Sequence, residues 1–204
     1  MSAGPMVSAS GRKIRNTASP RDQEDAIVDA AAAEFTEFGV RRASIDDIAR
    51  RAQVSRSTLY RRFPNRESLL LAVATRLYLR GMRQLENAMV GLTPKEAVAE
   101  AFAVGAALIA SDPLMHRLVV DDEEMRSVIS SSVTAMFIDA VTDRTVATLR
   151  SLGATRADDE LREVVELMIR LIISLLEVPS GDPETREPEY VRGYATRYFA
   201  PMVW

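Results

Sequence analysis

Arginine is concentrated in one short part of this chain. Eight arginines lie between Gly39 and Arg66, against two aspartates, which gives this segment a formal charge of +6. Six of them fall in the stretch SIDDIARRAQVSRSTLYRRFPNRESLL, residues 44–70, among serine, threonine and tyrosine hydroxyls. Guanidinium and hydroxyl groups donate hydrogen bonds to phosphates and to base edges in a major groove. The residue types therefore predict a surface that binds a polyanion, unless these arginines only solvate a helix.

The rest of the chain carries the opposite charge. Residues 1–66 hold 12 Lys and Arg against 8 Asp and Glu, or +4, and residues 67–204 hold 14 against 21, or −7. With 204 residues, 47% apolar and 27% charged, the composition is that of a globular protein with one large domain or two small ones. This distribution predicts a basic N-terminal module joined to an acidic remainder.

Several functional classes are disfavoured by residues that the sequence lacks. There is no cysteine, so we expect no disulfide, thiolate metal site or cysteine nucleophile. The lone histidine, His116, completes no nucleophile–base pair, and the sequence has no glycine-rich phosphate loop or metal-ligand cluster. We therefore expect a protein that is not an enzyme and needs no cofactor or metal.

The apolar segments are too short to suggest a membrane protein. The N-terminal MSAGPMVSASGRKIRNTASP has no apolar core of the kind that a signal peptide needs. The longest apolar runs are interrupted by Glu100, Glu166 and Arg170, whereas a span needs about 20 apolar residues. Together with the lack of cysteine, these features predict a cytoplasmic protein.

Helical periodicity runs through nearly the whole sequence, and no clean strand-like alternation occurs, so the expected fold class is all-α. The start and stop signals include Gly39 after the first helix, a capping box of Ser44 with Asp47, and another of Thr93 with Glu96. These signals predict helices over about 21–38, 44–52, 56–62, 65–88, 94–110, 122–152, 157–178 and 187–200, with a further helix start at Asp112-Pro113.

The two short helices at 44–52 and 56–62 fit a helix-turn-helix motif. Ile48, Ala52, Val54 and Leu59 can point into one small core, and the small Ala49 allows the two helices to cross closely. This arrangement leaves one face of the second short helix free. The arginine cluster is then explained as a set of donors that face outward from a helix that fits a major groove.

These residues resemble the TetR family of bacterial transcriptional regulators. The stretch FGVRRASIDDIARRAQVSRSTLYRRFPNRESLL follows the N-terminal signature of that family, including the Leu-Tyr-x-x-Phe-Pro pattern that begins at Leu59, and the resemblance covers about residues 26–71. Two positions depart from the pattern. Gln53 replaces the usual turn glycine and must adopt a left-handed conformation at a cost on the order of 1 kcal/mol, and Arg66 replaces the usual lysine, which keeps a phosphate contact possible.

The resemblance implies an N-terminal three-helix helix-turn-helix domain joined to a larger helical domain for effector binding and dimerisation. We place a flexible basic arm at 1–20, the DNA-binding domain with its connecting helix at 21–88, and the effector and dimerisation domain at 89–204. Arg12, Lys13 and Arg15 in the arm either enter a minor groove or do nothing specific.

Carried over residue by residue, the resemblance also implies DNA contacts. Arg56 is our first choice for a bidentate guanine contact. Ser44 either offers its hydroxyl or N–H to a phosphate or acts only as a helix cap. Thr58 is open to a hydrogen bond inside the helix turn instead, and Tyr60 either reaches the DNA backbone or packs as an aromatic. The full set of expected DNA-binding residues is Arg42, Ser44, Ser55, Arg56, Ser57, Thr58, Tyr60, Arg61 and Arg66.

The helix predicted at 157–178 carries more apolar residues than a single buried face uses, and the last helix is amphipathic and aromatic. This surplus predicts a dimer interface, and the resemblance implies one of four helices, two from each subunit; the alternative is a fully intramolecular bundle. Two recognition helices in a dimer read a near-palindromic operator. The expected interface residues are Leu161, Val165, Met168, Ile172, Leu175, Tyr190, Tyr194 and Tyr198.

The middle helices are expected to line an effector pocket, again as the resemblance implies. Methionine and phenylalanine at helical spacing also form ordinary core, and His116 has a structural alternative near Asp112. The candidate pocket residues are Phe102, Met115, His116, Met125, Met136 and Phe137. The function expected is a repressor that a small hydrophobic effector releases from its operator; the alternative is an architectural dimer that binds DNA without reading its sequence.

Overall fold

The computed structural model describes residues 19–121 and 131–203, and within these ranges the chain is all-α with no strand. The predicted arm residues Arg12, Lys13 and Arg15 and the predicted pocket residue Met125 lie outside the described residues. The helices are α1 (Pro20–Phe38), α2 (Ile45–Arg51), α3 (Arg56–Arg62), α4 (Arg66–Met89), α5 (Pro94–Ser111), α6 (Pro113–His116), α7 (Ser131–Ser151), α8 (Asp158–Glu177) and α9 (Pro188–Tyr198). A π-helix, Arg117–Asp121, continues α6, and two 3-10 turns, Pro183–Arg186 and Ala200–Val203, flank α9.

Local capping signals fix most helix ends where the sequence predicts them. Ser55 and Asn65 accept hydrogen bonds from backbone N–H groups in the first turns of α3 and α4, at 3.1 and 2.7 Å. Thr93 and Glu96 form the predicted reciprocal capping box at the start of α5. Gly39 ends α1 with φ 77°, a value that L side chains rarely adopt. These ends agree with the sequence because caps depend on neighbouring residues only.

The predicted capping box at α2 is only half formed. The Ser44 hydroxyl accepts the backbone N–H of Asp47 at 3.2 Å, as expected. The predicted return bond, from the Ser44 N–H to the Asp47 carboxylate, is replaced. The backbone N–H of Ser44 donates instead to the Glu34 carboxylate of α1 at 3.2 Å. Glu34 is 2% exposed and also lies 3.6 Å from the Arg51 guanidinium of α2. A buried acid from α1 thus fixes both ends of α2.

The helix-turn-helix core forms as the periodicity predicts. Ile48, Ala52 and Leu59 are buried, Val54 packs against them, and Ala49 is buried where α2 meets its neighbours. Helix α1 contributes the other side of this first core. The α1–α2 connection, the first half of α4 and one residue of α6 complete this core. Its remaining buried members are Ile27, Val28, Ala30, Ala31, Phe35, Val40, Ala43, Leu69, Leu70, Val73, Leu77 and Leu114.

A second and larger core joins α4, α5, α7, α8 and α9. Helix α4 enters it with its second half, through Met82, Leu85 and Met89. Phe102 of α5 lies at its centre, with its ring centroid 5.2 Å from that of Phe199 and 6.1 Å from that of Tyr194. Because α4 lies in both cores, the change from one core to the other falls inside this helix.

The segment that follows α5 connects the two cores. Asp112 caps α6 by accepting the backbone N–H groups of Leu114 and Met115, each at 3.0 Å, and its other carboxylate oxygen binds Arg80 of α4. Leu114 is buried in the first core, and Met115 and Leu118 pack against it. The predicted helix start at Asp112-Pro113 is confirmed. The helix is short and continues as the π-helix.

Helix α5 is largely apolar, and its buried residues lie between Pro94 and Ala103. Among the described residues, no single helix is both long and apolar enough to cross a membrane. The helices Pro94–Ser111 and Pro113–Val120 pass that test of length and composition only when counted together, and the chain bends by 98° between them.

We predict that Glu34→Ala lowers the free energy of unfolding by about 1–3 kcal/mol, because it leaves the Ser44 N–H and the Arg51 guanidinium without their buried acceptor. Glu37→Ala is the matched control, since Glu37 pairs with the same Arg51 at 3.4 Å but its side chain is 57% exposed. Its loss is expected to stay within about 0.5 kcal/mol. Urea unfolding at one fixed protein concentration measures both, and equal losses would contradict the assigned role of Glu34.

Candidate nucleic-acid interface

The turn between α2 and α3 is tight and fixes the direction of α3. Val54 donates its N–H to the carbonyl of Ala49 at 3.0 Å, and Gln53 donates to Arg50 at 3.1 Å. Gln53 has φ 55°, the only positive φ at a non-glycine residue in the described chain. The predicted left-handed conformation is therefore confirmed. It lets the chain reverse within three residues and start α3 at Arg56.

The hydroxyl of Ser55 organises the first turn of α3. Its Oγ accepts the Thr58 N–H at 3.1 Å and lies 2.9 Å from both the Thr58 Oγ1 and the Ser57 Oγ. The Thr58 hydroxyl is thus engaged within the helix turn, the alternative that the sequence left open. Ser57 and Ser55 are exposed. Of the three hydroxyls, that of Thr58 is the least available to DNA.

Arg56 and Tyr60 lie together on the exposed face of α3. The guanidinium carbon of Arg56 is 5.6 Å from the centroid of the Tyr60 ring, which is the distance of a cation–π contact. Arg56 also pairs with Asp46 of α2, with 3.2 Å between Nη1 and Oδ1. The interaction with Tyr60, followed by the negative charge of Asp46, raises the pKa of Arg56 above its ordinary value. Tyr60 and Asp46 thus both contact this guanidinium at the surface of the protein.

Arg61 and Arg42 are the other exposed arginines of the predicted set. Arg61 forms no hydrogen bond or ion pair with any residue in the ranges 19–121 and 131–203. Arg42 donates from Nε to the Phe38 carbonyl at 3.2 Å, which leaves its terminal nitrogens directed elsewhere. Both side chains therefore offer donors to a ligand that approaches α3 from solvent.

Ser44 and Arg66 fit their predicted phosphate contacts less well. Each already donates a hydrogen bond within the protein. The Ser44 N–H donates to Glu34, and the Arg66 Nη1 donates to the Val40 carbonyl. Both residues are half-buried. The cap alternative for Ser44 is thus realised, and Arg66 reaches a phosphate only with its remaining donors.

Three further arginines of the basic segment pair with carboxylates. Arg51 binds Glu34 and Glu37, and Arg50 binds Asp47 at 2.7 Å. Arg62, which is half-buried, binds Glu24 of α1 at 3.1 Å. Sequence analysis did not separate these arginines from the exposed ones. Only the Asp47–Arg50 spacing of three residues signals a pair, because the acids on α1 are far away in the sequence.

The outward donors of the first domain thus come from α3 and its flanks. Residues 27–73, which span this domain, match the family model described as bacterial regulatory proteins, tetR family. The A-factor receptor protein of Streptomyces griseus is 45% identical over 47 residues, which cover 23% of this chain and 17% of that protein. An HTH-type transcriptional regulator of Mycobacterium tuberculosis is 45% identical over 49 residues, 24% of this chain and 26% of that protein. Residues 27–73 carry the N-terminal domain of the TetR family.

A solved structure extends the TetR-family likeness over the second domain. The TetR family repressor AlkX from Dietzia sp. strain DQ12-45-1b, implicated in biodegradation of n-alkanes, superposes with a TM-score of 0.65. The match covers 88% of this chain and 94% of that chain at 21% identity, so it shows a shared fold. The matches to the two curated relatives span only about a sixth and a quarter of their lengths.

A partly open cavity of about 220 Å³ lies between α4, α5, α7, α8 and the α6 segment. Two of the predicted pocket residues, Met115 and Phe137, line this cavity. Phe102 does not line it, because its ring is buried in the aromatic cluster with Phe199. His116 and exposed Met136 are also not among the lining residues. Sequence reasoning missed most of the lining: Ala74, Leu77, Tyr78, Gly81, Met82, Leu85, Ala101, Gly105, Leu108, Ile109, Leu118, Val119, Ile138, Val141, Thr145, Val165, Met168, Ile169, Ile172 and Ile173.

Among the residues that the structure describes, the cavity wall is almost entirely apolar and carries no charged side chain. The two side-chain hydroxyls among the described lining residues already donate to backbone carbonyls of α7. Tyr78 bonds to Ala140 at 3.2 Å and Thr145 bonds to Val141 at 2.8 Å. A charged ligand would lose its hydration without gaining a partner of opposite charge. The cavity therefore suits an uncharged, apolar molecule.

The predicted dimer residues divide into two groups. Leu161, Val165, Met168 and Ile172 are buried in the core of their own subunit, which leaves little of their surface for the predicted dimer interface. They form the inner face of α8, since the periodic apolar stripe of an amphipathic helix packs against the core of its own subunit. Leu175, Tyr190 and Tyr198 are exposed, and Tyr194 is half-buried against Phe102. Leu167 and Val178, which sequence analysis did not assign to the interface, extend the exposed apolar surface of α8.

We predict that Arg61→Ala and Arg62→Ala affect different properties, DNA affinity and thermal stability respectively, although the residues are adjacent. Arg61→Ala should cost about 1–3 kcal/mol of binding free energy to duplex DNA, because it removes an exposed donor, and should leave the unfolding temperature unchanged. Arg62→Ala should lower the unfolding temperature by breaking the half-buried Glu24 pair and leave duplex affinity unchanged in the folded protein. Fluorescence anisotropy and thermal unfolding measure the two quantities. A loss of duplex affinity in Arg62→Ala alone would contradict the assigned interface.

Proposed function

We propose that this TetR-family chain is a homodimeric transcriptional repressor that reads a near-palindromic operator and is released from it by a small, uncharged, hydrophobic effector. The observation that carries the proposal is the exposed face of α3. Arg56, Tyr60 and Arg61 face solvent there, while neighbouring arginines such as Arg51 and Arg62 are held by acids of α1. Repression requires only that the operator is occupied, so it is the simplest mode of action.

The position of Arg56 at the start of α3 supports the reading of bases and not of phosphates alone. A recognition helix contacts base edges in the major groove with residues near its N-terminus. Arg56 is the first residue of α3, and the Ser55 cap precedes it. A guanidinium at this position can donate two hydrogen bonds to a guanine. Arg42 at the end of the α1–α2 connection is suited to a flanking phosphate.

The architectural alternative, a dimer that binds DNA without sequence preference, makes a different prediction about salt. Contacts with phosphates alone weaken with rising ionic strength for every sequence alike. Base contacts leave a residual difference of about 1–3 kcal/mol for each base pair read. Competition between duplexes of different sequence at moderate salt therefore tests the proposed function. Equal affinities for all duplexes would favour the architectural binder.

The exposed apolar residues on α8 and α9 support a homodimer. Both helices pack against α5 with one side. Leu167 and Leu175 of α8 and Val178, which follows this helix, stay in solvent in the single subunit. A second copy of the same surface would cover them. A two-fold dimer also places two α3 helices on successive turns of one duplex face, which is the geometry that a near-palindrome requires.

The cavity supports regulation by an effector. Met115 and Leu118 line it and also pack against the first core, so a ligand that displaces them acts on the DNA-binding domain. Such a ligand shifts the protein only if it binds the two conformations with different affinity. An apolar effector is in keeping with the implication of AlkX in biodegradation of n-alkanes and with the receptor function in the name of the Streptomyces relative.

We predict that Leu175→Arg converts the dimer into a monomer and weakens duplex binding, because a desolvated charge at the interface has no partner. Leu79→Arg is the matched control. Leu79 lies on α4 and is 41% exposed, close to the 45% of Leu175, but it is outside the proposed interface. Sedimentation velocity measures the assembly state of both variants. Retention of the dimer in Leu175→Arg, or its loss in both variants, would contradict this interface.

We predict that the cavity binds the uncharged dye N-phenylnaphthylamine and not anilinonaphthalene sulfonate, which has the same rings and one negative charge, because the described lining residues offer no countercharge. Gly105→Leu should abolish this binding by filling the cavity. Gly105→Ala should retain it, since a Cβ there meets the Ile172 Cδ1 at an ordinary 3.5 Å. Fluorescence titration measures both variants. Binding that is unchanged in Gly105→Leu would place the dye elsewhere.

A further inference from the structure

A carboxylate lies where the proposed DNA-binding face would meet a polyanion. Asp46, in the first turn of α2, contacts Arg56, the first residue of α3, across the helix-turn-helix connection. Nη1 of Arg56 lies 3.2 Å from Oδ1 and 3.3 Å from Oδ2 of Asp46. One terminal nitrogen of the arginine thus bridges both oxygens of the acid.

The Arg56 guanidinium has a second support on its own helix. Tyr60 lies one turn further along α3, with its ring centroid 5.6 Å from the guanidinium carbon. The cation is therefore held between a carboxylate from α2 and an aromatic face from α3. All three side chains are exposed, so these contacts form at the surface and contribute little to the stability of the fold.

The geometry leaves Arg56 able to bind a second acceptor. A guanidinium has five N–H donors in a fixed fork, and the bond to Asp46 uses a single terminal nitrogen. A carboxylate at this position also repels nearby phosphates, and by pairing with Arg56 it reduces the attraction of that residue for the DNA backbone. The acid thus disfavours phosphate contacts of Arg56 while it limits the orientations of the side chain.

We propose that Asp46 is a positioning residue that sets the sequence specificity of the recognition helix by holding Arg56 for a two-bond contact with a guanine and away from phosphates. The inference rests on the proposed DNA-binding function and adds a specificity-determining residue that does not itself read a base. Removal of this acid should therefore raise the affinity for non-operator DNA more than the affinity for the operator.

The test compares Asp46→Asn with Asp47→Asn. Asp47 is in the same helix turn and pairs with a different arginine, Arg50, at 2.7 Å. Both substitutions keep the side-chain shape, remove one negative charge and take the same charge from the N-terminus of α2. Anisotropy titrations measure the affinity of each variant for the preferred duplex of the wild-type protein and for a scrambled duplex of equal length, at several salt concentrations.

Asp46→Asn should lower the ratio of the two affinities by about two- to fivefold, the range for one exposed ion pair, mainly through tighter binding to the scrambled duplex. Its log–log salt slope on the scrambled duplex should steepen by about 0.9, since Arg56 gains a phosphate. Asp47→Asn should tighten binding to both duplexes equally and leave the ratio unchanged. In an Arg56→Ala background, Asp46→Asn should no longer change the ratio.

Equal ratios for Asp46→Asn, Asp47→Asn and the wild-type protein would overturn the inference while leaving the proposed function intact. An effect of Asp46→Asn that persists in the Arg56→Ala background would also overturn it, because the acid would then act through another residue. A wild-type protein with no preference between the duplexes would instead remove the proposed function on which the inference rests.

Discussion

The sharing of one helix between two hydrophobic cores is the constraint on which the rest of this structure depends. Helix α4 is 24 residues long, or about 36 Å at the usual rise. Its first half supplies Leu69, Leu70 and Val73 to the helix-turn-helix core, and its second half supplies Leu85 and Met89 to the larger core. Close-packed cores transmit displacement instead of absorbing it. A rearrangement around the cavity is therefore expected to move the DNA-binding helices.

The α6 segment gives the two cores a second connection, beside α4. Leu114 is buried with the DNA-binding helices, while Met115 and Leu118 also line the cavity. Asp112 holds the start of this segment to Arg80 on α4. An apolar ligand in the cavity thus touches residues that both domains use, which gives the proposed effector a direct physical route to the recognition helix.

Electrostatics divides the arginines of the basic segment into two sets with different tasks. Arg51 and Arg62 form ion pairs with acids on α1. The buried Glu34 also binds the Ser44 N–H, so the position of α2 depends on α1. Arg56 and Arg61 remain on the solvent face of α3. The high local positive charge is therefore partly structural, and only part of it is available to bind a polyanion.

Most of the first domain could be predicted from the sequence because its signals are local. Ser55, Asn65 and Gly39 fix helix ends through neighbours within a few residues, and the apolar spacing of Ile48 and Leu59 identifies the motif core. The Glu34–Ser44 bond could not be predicted in this way. It replaces half of a capping box with a partner ten residues away on another helix.

The second domain was less predictable because periodicity does not say which neighbour an apolar face meets. Helix α8 is apolar on two sides, and the sequence assigned Val165 and Met168 to a dimer interface although they face the core of their own subunit. Phe102 was assigned to the pocket for a similar reason, since an aromatic on α5 can meet either the cavity or α9. The position of the neighbouring helices decides both cases.

Selection of bound duplexes from a random-sequence DNA pool at about physiological salt, followed by sequencing, tests the central claim most directly. We expect an enriched near-palindrome with half-sites about one helical turn apart, or a multiple of it, and with a preferred guanine that Arg56→Ala no longer selects. A pool that stays unenriched, although the protein binds DNA at low salt, would contradict the account of α3 as a helix that reads sequence.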